Sequence, residues 1–409
     1  MTLATSAPSA SHAARQELEE LVHAALSAGR RLRIAGAGTW LDAGRPVDGD
    51  SVVSTRALSG IVEYVPGDLT LTARAGTSLA EIRDATAAHR QWLALDPCGS
   101  DDGTLGATVA TASAGPLATA FGTPRDLVLG LEFISGTGAV VRGGGRVVKN
   151  VAGFDLVRLL TGSWGTLGVI TEITVRLHAR PEADQSFVVQ VADDDIERVR
   201  LAIRRLPFTL YACELVNAAL ATALGVGTSS AVLVRVGGNT ELVDATRAAL
   251  QELGSPREVD ANIWQRLRDA EPVGATVFRV STLASRLRDT WCDLAAVRRR
   301  APNAMLHAAP ARGVVRCILP ASNDATAAVE QVISARGAPT VIAERLPRAL
   351  WAGIGSAMGD RLSRGIKHAF DPDVRFNPGK VFPTLSRCAE LGREHVHAGA
   401  ERFPNLPRF

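Results

Sequence analysis

Cysteine is scarce in this chain and never paired. Cys98, Cys213, Cys292, Cys317 and Cys388 are scattered, odd in number and free of any CxxC spacing. They encode neither a disulfide framework nor an iron–sulfur site, which suits a reducing cytoplasm. Long apolar runs are missing too: no stretch approaches the roughly 18 residues that a membrane helix needs. The first fifteen residues lack a basic start and an apolar core, so they do not read as a signal peptide. Charge of one sign is also absent, with 45 basic against 42 acidic side chains and a net charge of +3. No basic stripe with interleaved aromatics offers itself to a nucleic acid. The run Arg298-Arg299-Arg300 follows a helix-like segment and reads as its solvated last turn, complementing the helix dipole.

What is present is an ordinary globular balance, 46% hydrophobic and 21% charged, over 409 residues. That length implies two domains or more, because single cores stop growing at roughly 250–300 residues. Glycine numbers 38, and much of it is concentrated between Gly36 and Gly168.

The local pattern is mixed. Ser11 can cap a helix whose apolar positions Leu18, Leu21, Val22, Ala25 and Leu26 recur at helical spacing, with Gly29 ending it. Short strands are predicted at 32–35, 51–53, 60–64 and 69–73, then a helix from Ser78 to about Ala88. Val128–Val141 reads as a hairpin turning at Ser135-Gly136-Thr137-Gly138. Helical turns at 155–160 precede a closing strand at 169–177. Arg180-Pro181 marks a boundary. Beyond it, strands at 187–191, 231–236, 277–280 and 314–319 alternate with helices such as 196–206 and 240–253. This predicts an α+β second domain of ferredoxin-like character, with no internal repeat visible. The tail from about Leu385 reads as exposed coil.

Three glycine-rich segments carry the chemistry. The first, Ala35-Gly36-Ala37-Gly38-Thr39-Trp40, follows a strand and lets backbone N–H groups approach a phosphate. A Rossmann fingerprint needs a third glycine at position 41, which is Leu41, so a dinucleotide fold of that kind is excluded. The second runs from Asp96-Pro97-Cys98 through Thr104-Leu105-Gly106-Ala107-Thr108 to Gly115-Pro116, long and poor in bulky side chains. A loop of that length without structure of its own is functional as a rule. Thr104, Gly106 and Thr108 offer donors suited to a pyrophosphate, and the stretch to Gly115 offers a smooth wall for a planar cofactor. The third comprises Gly143-Gly144-Gly145, Lys149-Asn150-Val151-Ala152-Gly153-Phe154-Asp155 and Gly162-Ser163-Trp164-Gly165-Thr166-Leu167-Gly168. Lys149 is placed to neutralise a phosphate or a carboxylate, unless it is simply a surface lysine.

Together with Gly122-Thr123-Pro124-Arg125-Asp126 and Asn377-Pro378-Gly379-Lys380, these segments resemble the vanillyl-alcohol-oxidase (PCMH-type) FAD-binding superfamily. Within it they are most similar to the E subunits of bacterial glycolate oxidases. The resemblance implies a PCMH-type FAD domain of two α/β subdomains over residues 13–182, after a disordered 1–12. An α+β cap domain over 183–370, a return segment over 371–383 and an exposed tail over 384–409 complete the expected organisation. It further implies that Ala35, Gly36, Ala37, Gly38 and Thr39 contact the pyrophosphate, and that Pro97, Thr104, Leu105, Gly106, Thr108 and Gly115 lie along the pyrophosphate and flavin. Gly162, Gly165, Thr166, Gly168, Val169 and Ile170 would border the adenosine, with Lys149, Asn150 and Asn377 as further contacts. Relatives with covalently bound flavin carry a histidine at the position of Thr39, so noncovalent FAD is implied here.

The family's D-2-hydroxyacid dehydrogenases also carry an HxGDGNxH metal motif, and this sequence has none; His307 and His368 are isolated. No catalytic residue and no metal ligand is therefore assigned. Three functions remain. The chain is an FAD subunit of a multi-subunit glycolate oxidase, working with a second FAD subunit and an iron–sulfur subunit and touching membranes only through them; or a self-sufficient dehydrogenase of another 2-hydroxy acid or alcohol; or an FAD-loaded scaffold.

Overall fold

The computed structural model describes residues 8–47, 49–145, 155–193, 195–321, 332, 340–353, 361–380 and 384–385. Lys149 and Asn150 lie outside these.

The chain opens with α1 (Pro8–Ser27), which begins ahead of the expected cap at Ser11 and takes in residues assigned to a disordered start. Proline suits a first helical position, since its φ is preset and its missing N–H would have had no partner there. The helix lays Leu18, Val22 and Ala25 on a parallel pair, β1 (Leu32–Ala35) and β2 (Ser51–Ser54). A second layer follows: β3 (Ile61–Val65), β4 (Thr70–Arg74), α2 (Leu79–Ala87), the short β5 (Gln91–Trp92) and α3 (Leu105–Thr111). It continues through α4 (Ala118–Phe121), α5 (Pro124–Leu127), β6 (Val128–Ser135), β7 (Val140–Gly144), α6 (Leu156–Leu160), β8 (Gly168–Arg176) and β9 (His178–Ala179). Its main sheet is antiparallel in the order β3-β4-β8-β6-β7, and the β6–β7 pairing is the expected hairpin. Each of the two subdomains has its own core. Ile134 and Val169 reach out of the larger sheet into the smaller core and hold the two together.

The long second loop is shorter than the sequence suggests. Residues 105–111 form α3, with the Thr104 hydroxyl accepting from Ala107 N at 3.2 Å as its cap. Small residues with little intrinsic helix signal hid it, and packing against β4 and β8 supplies what propensity does not.

The region beyond Pro181 holds one nine-stranded antiparallel sheet built from two like units. The first is β10 (Ala183–Gln190), α7 (Ile196–Arg205), β11 (Ala212–Val216), α8 (Ala218–Ala223), β12 (Ala231–Gly238), α9 (Thr240–Leu250) and β13 (Arg257–Val259), followed by α10 (Ile263–Arg268). The second is β14 (Thr276–Ser281), α11 (Leu287–Ala295), β15 (Met305–Ala309), β16 (Val314–Leu319) and β17 (Thr340–Arg345). The sheet order β13-β10-β12-β11-β15-β16-β14-β17 is the ferredoxin-like arrangement (fourth, first, third, second strand) followed by its mirror in order. The units meet where β11 pairs β15, with Leu215 opposite Ala308 and Val216 opposite His307. The expected ferredoxin-like character holds, but a structural repeat exists where none is visible in sequence. Two strands that make the seam, β11 and β15, carry a charged or polar residue at their centres, buried Glu214 and half-buried His307, which blurs their apolar pattern.

The boundary after the sheet also shifts. Helix α12 (Arg361–Phe370), expected in the second domain, packs Ile366 and Phe370 onto the core of the first. Buried Lys367 donates to Asp371 and to Thr166 O, both at 2.5 Å. The return segment then runs beside β1: Leu32 N donates to Arg375 O at 2.7 Å, and Asn377 N to Leu32 O at 2.9 Å. Beyond it, β18 (Thr384–Leu385) adds to the edge of β17, so these two residues belong to the sheet and not to a tail. Among the described residues no helix is long and apolar enough to cross a membrane.

Candidate active site

Two cavities lie back to back. The first is a cleft between the two subdomains of the N-terminal region, with about 710 Å³ of empty space, open solvent at its mouth included. One wall is Ala35, Gly36, Gly38 and Thr39 after β1; the other is Gly106, Ala107, Ala110 and Thr111 of α3 with Gly165, Gly168 and Ile170. Gly38 turns at φ +89°, and the N–H groups from Gly36 to Thr39 meet no acceptor among the described residues. Arg33 and Lys380 line the cleft, and among the described residues no carboxylate does. One bare backbone wall, from Gly36 to Thr39, with two cations beside it fits a pyrophosphate, because N–H dipoles and cationic groups are what its charge requires. Burial, with Arg33 and Arg345 nearby, lowers the Lys380 ammonium to about 8 although Asp42 pulls the other way, and its Nζ donates to Ala43 O.

Asn377 spans this cleft's floor. Its Oδ1 accepts from Ile34 N at 2.9 Å and its Nδ2 donates to Trp164 O at 2.7 Å, tying β1 to the turn before β8. Asn377 and Trp164 both sit in left-handed backbone conformations, at φ 38° and 54°. Strain of this kind costs of order 1–3 kcal/mol per residue and gathers where a site needs a fixed shape.

Several expected contacts are placed differently. Leu105 N and Gly106 N donate to Thr77 O and Ala75 O, at 2.9 and 2.8 Å. The Thr104 hydroxyl caps α3, and that of Thr108 donates to Thr104 O at 3.1 Å. These donors are spent on holding α3 against β4, so they are not presented to a phosphate. Gly106 is needed for a related reason: a Cβ there would stand 2.8 Å from Ala75 O and from Ala75 Cβ. Gly36 is a glycine because a Cβ would collide with the Thr104 hydroxyl. Ala37 does not line the cleft, and Gly162 and Thr166 shape the turn behind it, the Thr166 hydroxyl donating to Ser163 O at 2.6 Å. Val169 points into the smaller core while Ile170 lines the cleft. Pro97 offers its carbonyl to Arg268 at 3.3 Å and Gly115 lines the second cavity.

That second cavity, about 780 Å³, shares Trp40, Thr111 and Trp164 with the first. Its near wall is the small-residue stretch Ala112–Pro116, with Cys98 beside it. Burial pushes the Cys98 thiol up to about 12, so it is not a thiolate although Arg316 donates to its sulfur at 2.6 Å. The far wall is the nine-stranded sheet, and it is charged: Glu214, Arg279, His307, Arg316 and Glu344, with Arg312 from the β15–β16 turn. The His307 Nδ1 lies 2.9 Å from Glu214, so this histidine, isolated in sequence, is paired in the fold. Arg316 bridges Glu271 at 2.5 Å and also Glu344, which in turn holds Arg279 at 2.9 Å. Burial works to raise the Glu344 carboxyl, but Arg316 and Arg279 outweigh it and hold it low. Arg345 carries the network to the first cleft, pairing with Glu271 at 2.8 Å, donating to Thr39 O at 3.2 Å and stacking over Trp40 at 4.9 Å.

None of these sheet residues was assigned a role from sequence. The available signal was a charged residue centred in an apolar strand, as in Val277-Phe278-Arg279-Val280 and Val314-Val315-Arg316-Cys317-Ile318. A buried charge is retained only when it is paired or used.

The family described as FAD binding domain matches residues 12–144. Glycolate oxidase subunit GlcE of Escherichia coli (strain K12) is 35% identical over 273 residues, spanning 65% of this chain and 73% of that protein. Glycolate oxidase subunit GlcD of the same strain is 27% identical over 95% of this chain and 87% of its own length. Among solved structures, p-cresol methylhydroxylase with substrate bound superposes with a TM-score of 0.70 at 16% identity, over 89% of this chain and 86% of that one. That likeness speaks for the fold, and the level of identity to GlcE speaks for the kinship. The chain belongs to the family of the glycolate oxidase subunit GlcE, FAD-dependent oxidoreductases with a PCMH-type FAD-binding domain.

Proposed function

We propose that this chain is the FAD-carrying E-type subunit of a multi-subunit glycolate oxidase, taking part in the oxidation of glycolate to glyoxylate. The observation that carries this reading is the wall shared by the two cavities: a backbone-lined cleft suited to a pyrophosphate opens beside a charged pocket. Bound there, FAD supplies the two-electron redox step. The protein's share is to fix it. Gly36–Thr39 and Lys380 hold the phosphates, while Ile170 and the turn from Gly162 to Gly168 border the adenosine. Ala112–Pro116 presents a flat wall to the flavin. Gly106 lines the cleft and lets α3 close on Ala75, while Val169, Thr104, Leu105 and Thr108 act from behind by placing the strand and helix that form it. With Thr39 where covalent relatives carry histidine, the FAD is held noncovalently. Electrons leave toward an iron–sulfur subunit, in a complex that includes a second FAD subunit of the GlcD type.

Purification from the native source tests the assembly. Co-purification of a second flavoprotein and an iron–sulfur protein is expected, together with a yellow chain that releases all its FAD on acid precipitation. Isolation of the chain alone, or flavin retained in the precipitate, would overturn the respective part of the reading.

A further inference from the structure

Charge is concentrated on the face of the nine-stranded sheet that meets the cofactor region. Across neighbouring strands His307, Arg316 and Arg279 stand in one cross-strand row. Like charges opposite one another destabilise a sheet unless matched. Most of this set is matched: Arg316 and Arg279 share Glu344, and Arg316 also takes Glu271. Two groups are left over. Arg312 has the carbonyl of Gly115, at 3.3 Å, as its sole hydrogen-bond partner among the described residues, and no carboxylate in ion-pair contact. Its guanidinium is held below its ordinary range by burial, more than Glu214 and Asp96 restore, so it is a cation short of an anion. His307 is committed on one side only. Its Nδ1 faces Glu214 at 2.9 Å, and Nε2 meets no partner among the described residues.

We infer that this chain carries its own substrate site, in which Arg312 holds the carboxylate of a small 2-hydroxy acid and His307 takes the proton of its hydroxyl. This rests on the reading of the chain as a hydroxy-acid-oxidising FAD subunit. A cation for the carboxylate and a base for the hydroxyl, lining one cavity, match a substrate bearing both groups on adjacent carbons. In the step, Nε2 of His307 accepts the hydroxyl proton while the C2–H electron pair leaves with its hydrogen to the bound FAD as oxidant. The O–H and C–H bonds break and a carbonyl forms. The acid is oxidised by two electrons to the 2-oxo acid, FAD is reduced, and His307 is left as imidazolium against Glu214. Glu214 is a positioning residue: it fixes the tautomer and steadies the cation that forms. The titratable and charged groups that face His307 are Glu214 from β11, Arg316 from β16, Arg312 from the turn, Arg279 from β14 and Glu344 from β17, with Asp96 and the neutral thiol of Cys98 from the loop.

The FAD-loaded full chain, without other subunits, is titrated with oxalate by calorimetry and mixed anaerobically with glycolate. Wild type is expected to bind oxalate and to be reduced. Arg312→Gln should weaken oxalate binding at least 100-fold with FAD content unchanged. His307→Asn should keep oxalate binding within threefold while reduction slows roughly 10²–10⁴-fold and loses its acid limb in the rate–pH profile. Glu214→Gln should shift that limb rather than remove it. If Arg312→Gln does not fold, Arg312→Lys tests the same contact, since a lysine cannot reproduce the bidentate fork. Unaltered oxalate affinity in the Arg312 variant, or wild-type reduction in His307→Asn, overturns the inference. So does a wild-type chain that neither binds oxalate nor is reduced; if the complete complex still oxidises glycolate, the proposed function stands without this site. Oxalate binding through Arg312 with reduction by D-lactate but not glycolate would sink glycolate and keep the site.

Discussion

The two cavities are built by opposite means. The cleft between the subdomains is largely made of backbone: the N–H groups of Gly36 to Thr39, free among the described residues, and glycines that let two walls approach line it, with Lys380 as a charge beside them. The sheet pocket is made of side chains carried inward on strands that are otherwise apolar, and its charges survive burial only as a network. The first kind of site is local in sequence, since a strand and the turn after it already define the loop. The second exists only once five strands from two repeated units stand side by side.

This contrast can be broken where backbone meets backbone. Gly106→Val is expected to give the largest effect, about 3 kcal/mol or more, because its Cβ meets Ala75 main chain that cannot withdraw. Thermal unfolding of the FAD-free protein checks it. If Gly106 mattered only to a phosphate, the apo protein would be unaffected and only flavin content would fall.

In the pocket the corresponding change is Glu344→Gln, expected to cost about 2–3 kcal/mol by leaving Arg316 and Arg279 short of a counter-charge. Its pH signature sharpens the contrast. The folded-state carboxyl is held low, so its contribution is present above the usual carboxylate range and is lost as pH falls through the lower folded value. Wild type should lose stability on acidification more steeply than the variant; parallel curves from pH 7 to 3 would count against the network.

Lys380 should give the smallest effect. In the FAD-free protein its ammonium titrates at about 8, below the lysine range of the unfolded chain. The unfolded state then holds the extra proton, and stability rises with pH from about 8 toward that range, by roughly 1 kcal/mol or more. Lys380→Met should abolish the rise, and bound FAD should blunt it by keeping the ammonium charged. A rise of equal size in Lys380→Met would remove the lysine from the cleft's electrostatics.

Much of the first region is legible in the residues themselves. The hairpin at β6–β7 and the cap of α2 by Ser78, which accepts from Glu81 N at 3.0 Å, follow from turn and capping chemistry, while the return of Asn377 to β1 was implied by the family resemblance alone. What misled was function read from donors: Thr104, Leu105 and Gly106 look presented to a ligand, yet their groups close on Thr77, Ala75 and α3 itself. A sequence states which donors exist and not which acceptors the fold brings to them. The duplicated second region shows the same limit at larger scale, because strand order is fixed by long-range pairing that leaves only alternation behind in the chain.

By itself, then, the sequence determined the family, an FAD-binding oxidoreductase akin to GlcE, and showed where its glycine-rich loops lie. Backbone access depends on the residue at each position, and the absence of side chains is visible letter by letter. Only the tertiary structure decided that His307 has Glu214 as a partner and that Arg312 has no carboxylate in ion-pair contact among the described residues. Pairing of charges is a property of distance, and residues 93 positions apart come within 2.9 Å only where β11 and β15 join the two units.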